Sequence, residues 1–82
     1  MLTTIKTYEA FLVYYFNLCL STPSMQEGIK FWSLEYARLD HDLKTYPEYF
    51  AAGNYLVSDK LQDCFLTWWR DKEKIEKKLE LH

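Results

Sequence analysis

Few residues of this chain have the types that do chemistry. His41 lies between Asp40 and Asp42, and a carboxylate beside an imidazole is a pairing used in acid–base catalysis. Neighbouring residues on a helix point about 100° apart. On helical backbone these three side chains are therefore expected to form a solvated polar face rather than to converge. The cysteines Cys19 and Cys64 and the histidines His41 and His82 match no zinc-site spacing, so no metal or cofactor is expected. Two glycines leave little material for an oxyanion loop or a phosphate cradle. The chain is expected not to be an enzyme.

Recognition chemistry is better represented. The chain holds three Trp, seven Tyr and five Phe, and Tyr and Trp are common anchors of protein interfaces. Several stand next to each other, as in Phe31-Trp32, Trp68-Trp69 and Tyr14-Tyr15-Phe16. On a helix such neighbours face different ways. With Trp32 and Trp68 in the core, Phe31, Trp69 and Tyr14 point sideways or outward. Glu35, Asp40, Asp42 and Glu48 gather toward Pro47, where Tyr46, Tyr49 and Tyr55 also lie. An acidic, tyrosine-rich region of this kind suits a basic partner, because opposite charge speeds association and selects the partner. The expected contact residues are Glu35, Asp42, Tyr46, Glu48, Tyr49, Tyr55 and Trp69.

The elements that position these residues read as helices. Thr3 or Thr4 can cap a helix over about 4–20, with Ile5, Tyr8, Phe11, Leu12, Tyr15, Phe16, Leu18 and Cys19 at helical spacing. A second helix is expected over 24–45. It starts either with Pro23 in the first helical position or with Ser24 and Glu27 as a capping box. Its stripe is Ile29, Trp32, Tyr36, Leu39 and Leu43. Pro47 ends it. A short helix is expected over 47–52, closed by a left-handed Gly53. Ser58 can cap a last helix over 58–80, with Leu61, Phe65, Trp68, Ile75 and Leu79 as its stripe and a charged tail leaving the core. The fold class is all-α: a small bundle of three main helices plus one short helix, in one domain over 1–82.

Composition bounds the rest. Hydrophobic residues make up 49% of the chain, too many for a disordered segment. A net charge of −2 offers no basic face for direct nucleic-acid binding. Two cysteines do not make a disulfide scaffold, and both sit in apolar helical patterns, as buried thiols of a reducing compartment would; the alternative is a single disulfide between the first and last helices. Glu9 interrupts the first apolar run and no cleavage site follows it, so no signal peptide is expected. The uncharged run 10–26 turns polar too early to span a membrane. The expectation is a cytoplasmic, non-enzymatic module that binds another protein as inhibitor or regulator. The alternatives are a self-associating helical module, with Ile75 and Leu79 extending the contact, and a membrane-surface protein using the first helix.

Overall fold

In the computed structural model the backbone is described over residues 1–80 and side chains over residues 1–74. Three helices carry the chain: α1 (Ile5–Ser21), α2 (Gly28–Thr45) and α3 (Asp59–Glu80). Strands β1 (Leu2–Thr4) and β2 (Asn54–Leu56) form a small antiparallel ribbon, and Pro23–Met25 makes a lone 3-10 turn. The all-α reading holds, with the ribbon as an addition that the sequence pattern did not announce.

Local chemistry explains the helix ends. Thr4 caps α1, its Oγ1 accepting from Thr7 N at 3.1 Å, which satisfies one of the first-turn amides that have no partner within the helix. At the other end Gln26 Nε2 donates to the carbonyls of Cys19 and Leu20 at 3.0 and 3.2 Å. Pro23 takes the first position of the 3-10 turn, where its missing N–H costs nothing. The Ser24–Glu27 capping box does not form. Glu27 stands at the cap position of α2 with helical angles and makes no side-chain bond. Space explains part of this entry: a Cβ on Gly28 would lie 2.8 Å from Cys19 Sγ, so α2 starts where a residue without a side chain lets it approach α1.

The short helix expected over 47–52 is replaced by consecutive turns. Tyr49 N bonds Tyr46 O, Phe50 N bonds Pro47 O and Gly53 N bonds Phe50 O, each closing three residues back rather than four. Gly53 has φ of 77°, a conformation that Cβ-bearing residues rarely adopt. It redirects the chain into β2. The ribbon register is Leu2 with Leu56, Thr3 with Tyr55 and Thr4 with Asn54. Backbone bonds continue beyond both ends, from Val57 N to Met1 O at 2.7 Å and from Ile5 N to Gly53 O at 2.8 Å.

One aromatic-rich cluster forms the core. Phe11 is fully buried and its ring centre lies 5.1–5.8 Å from those of Tyr8, Tyr15, Trp32, Phe65 and Trp68. Tyr15 stacks on Trp32 at 4.8 Å and donates its hydroxyl to Cys64 O at 3.3 Å. Contacts along α1 and α2 run in opposite senses, Cys19 beside Gly28 and Glu9 bonded to Tyr36, so the two helices are antiparallel. Leu61, Phe65 and Trp68 of α3 are buried as their spacing predicts. Beyond them Trp69, Arg70, Asp71, Glu73 and Lys74 are exposed. The side chains of Ile75, Leu79 and Leu81, and the pair Glu73 with Lys77, lie outside the described residues. Cys19 is buried, Cys64 is half-buried, and both are free thiols.

Candidate functional site

The C-terminal end of α2, the turns after Pro47 and the ribbon meet at one open concavity of about 470 Å³. Six of its lining residues define it: Leu2, Asp42, Tyr46, Tyr49, Phe50 and Leu56. The strand period of two decides which side chains face it. On the inner face of the ribbon, Tyr55 is buried opposite Thr3. On the outer face, the cross-strand pair Leu2 and Leu56 is 65% and 67% exposed. Tyr46 and Tyr49 meet edge to face at 6.2 Å and are 50% and 83% exposed. Apolar surface of this extent, held together in one place, characterises interaction sites.

Asp42 is the one ionised group in the lining. Its carboxylate is half-buried and accepts from Tyr55 Oη at 3.0 Å through Oδ2, while Oδ1 lies 3.6 Å from His41 Nδ1. The adjacent residues His41 and Asp42 thus approach each other, although Asp40 turns away to pair with Lys44 at 3.0 Å. The imidazole also contacts Thr45 Oγ1 at 3.3 Å and is 69% exposed. A pair this exposed contributes little to stability.

The structure separates the seven residues picked out by the sequence. Asp42, Tyr46 and Tyr49 line the concavity, and Glu48 lies exposed on the same turn. Tyr55 is corrected. It is 8% exposed, its ring stacked on Tyr8 at 4.8 Å and on Phe50 at 5.3 Å. It supports the site from beneath and offers no face to a partner. Burial and the hydrogen bond to the Asp42 carboxylate raise its pKa above the ordinary value. Burial pushes Tyr8 up to about 12, with the charge of Glu35 adding to the effect. Glu35 is half-buried on α2, away from the lining. Trp69 belongs to α3, where its indole N–H donates to Glu73 at 3.1 Å and Lys72 Nζ sits 5.2 Å over its ring. Its polar atom and one ring face are already engaged.

Leu2, Phe50 and Leu56 are site residues that the sequence reading missed. The one signal for Leu56 was the short stretch after Gly53 that holds the β-prone Tyr55 and Val57, and nothing in it names Leu2 as partner. A second, smaller apolar cleft of about 260 Å³ lies between α1 and α2, lined by Leu12, Val13, Phe16, Ser33 and Tyr36. Among the described residues no three His, Cys, Asp or Glu side chains are placed to hold a metal. No helix among them is long and apolar enough to cross a membrane. Comparison with protein-family models, curated proteins and solved structures returns no match.

Proposed function

We propose that this chain is a binding module that docks on another protein through the tyrosine turn and the outer face of the ribbon. It acts on that partner as an inhibitor or regulator by occupying its surface. The observation that carries this reading is the clustering of Leu2, Leu56, Tyr46 and Tyr49, all half or more exposed, around one concavity with a carboxylate in its wall. Rigid aromatic side chains give large contact area at low entropic cost, and the turn holds both tyrosines beside a buried support. Asp42 and Glu48 make the face acidic, which favours a partner with basic surface. Two free thiols, one of them buried, fit a reducing compartment such as the cytoplasm.

The test is capture of partners from the source cell by the tagged chain and by a Tyr49→Ser, Leu56→Ser double variant. Both side chains are largely exposed, so the variant keeps its fold by circular dichroism. The expected result is a specific partner lost at least tenfold by the variant and weakened by high salt. Undiminished capture by the variant overturns the assignment of this face.

A further inference from the structure

Building on that docking role, we infer that the concavity is a socket for one basic side chain of the partner protein, arginine in preference to lysine. The guanidinium would pair with Asp42, and its stem would lie along Leu2 and Leu56. Charge sets the first half of this assignment. Asp42 is the sole ionised residue in the lining, and its hydrogen bond comes from a neutral phenol, Tyr55 Oη. The nearest lysine in sequence, Lys44, is held by Asp40 at 3.0 Å. Among the described residues no lysine or arginine forms an ion pair with the Asp42 carboxylate, and the basic ring beside it, that of His41 with Nδ1 3.6 Å from Oδ1, is itself 69% exposed and free to turn away. Over residues 40–48 the acids Asp40, Asp42 and Glu48 outnumber the one lysine, Lys44, with His41 as the other basic side chain, which favours approach of a cation.

Shape sets the second half. Leu2 and Leu56 stand opposite each other across the ribbon and expose two thirds of their surface, a track suited to the methylenes of a long basic side chain. Tyr46 and Tyr49 cross at 81°, so one can offer a ring face to a cation while the other closes the side. The volume of about 470 Å³ lies within the usual range of ligand pockets, about 300–1,000 Å³. Arginine is preferred for three reasons. Its planar head can lie flat on a phenol ring, it is weakly hydrated, and it can bond both carboxylate oxygens, each of which keeps a free lone pair here.

The test is a nitrogen-15 NMR titration of the whole chain with three blocked amino acids: N-acetyl-arginine amide, N-acetyl-lysine amide and N-acetyl-citrulline amide. Citrulline keeps the shape of arginine without the charge. The expected result is saturable shifts at Leu2, Tyr46, Tyr49 and Leu56 with arginine, weaker ones with lysine, and at least fivefold weaker binding of citrulline. Asp42→Asn should reduce arginine binding at least fivefold, with the spectrum itself reporting that the fold is kept. Equal binding of citrulline and arginine, shifts centred elsewhere, or no saturable shifts would overturn the socket. The citrulline comparison uses the unaltered chain, so it decides the matter even if Asp42→Asn fails to fold. The docking role is judged separately: loss of the captured partner in the Tyr49→Ser, Leu56→Ser variant would leave it standing if the socket fails.

Discussion

Replacing Tyr55 by phenylalanine tests the link between the core and the candidate site. Tyr55 Oη donates to Asp42 Oδ2 at 3.0 Å, joining β2 to α2, while its ring stacks on Tyr8 and Phe50. Tyr55→Phe keeps the stacking and removes only the hydroxyl. A hydrogen bond to a charged acceptor contributes roughly 1.5–3 kcal/mol net. Asp42 keeps 24% side-chain exposure and can be rehydrated, so the lower figure, about 1.5 kcal/mol, applies near neutral pH. The pH dependence sharpens the test. The folded pKa of Tyr55 is raised, so the stability it brings is fully present below the unfolded value near 10 and is lost as pH rises toward the folded value. At pH 11 an unfolded tyrosine is mostly ionised and a protected one is not, which costs the folded state about 1.4 kcal/mol for each such residue. Wild-type protein bears that loss at Tyr55 and the phenylalanine variant does not. The two stabilities, about 1.5 kcal/mol apart at pH 7, are expected to converge near pH 11. Urea unfolding followed by far-ultraviolet circular dichroism at pH 7, 9 and 11 measures this. A gap that stays constant across the series, or no gap at pH 7, refutes the role given to the hydroxyl.

Other perturbations have expected outcomes of their own. Phe11→Ala empties the centre of the ring cluster, where Phe11 has no exposed surface. It should cost roughly 3–5 kcal/mol, a large share of the roughly 4–12 kcal/mol typical of a chain this long, and a urea midpoint that hardly moves would contradict the packing described. Gly28→Ala should destabilise because its Cβ would meet Cys19 Sγ at 2.8 Å. In a Cys19→Ala background the same change should turn neutral or favourable, by up to about 1 kcal/mol of helix propensity. Thermal melts of the four proteins form a cycle, and identical effects in both backgrounds would rule out the contact. Tyr8, whose pKa is pushed up to about 12, should add its own loss of stability between pH 10 and 12. A Tyr8→Phe chain that declined over that range as steeply as wild type would argue against this.

The helices and their inward faces could be read from the sequence because a helix repeats its neighbours every three to four residues, so the pattern lies within one continuous stretch. Tyr8, Phe11, Leu12, Leu39, Leu61, Phe65 and Trp68 announce themselves in this way and are buried. Thr4 as a cap, Pro47 as a stop and Gly53 as a left-handed residue are likewise local effects. Charge and composition pointed to the region around Pro47, and three of the seven expected contact residues, Asp42, Tyr46 and Tyr49, line the concavity. Tertiary structure decided the rest. Three-residue strands are too short to show a period, and pairing Leu2 with Leu56 depends on a contact between distant parts of the chain. That pairing puts Tyr55 inward and Leu56 outward, whereas a shift of one residue would exchange them. Tyr49 and Tyr55 are the same residue type on one short segment. One is 83% exposed and the other 8%, because Tyr8 of α1 and Phe50 cover Tyr55 on the inner face of the ribbon and, among the described residues, nothing comparable lies over Tyr49.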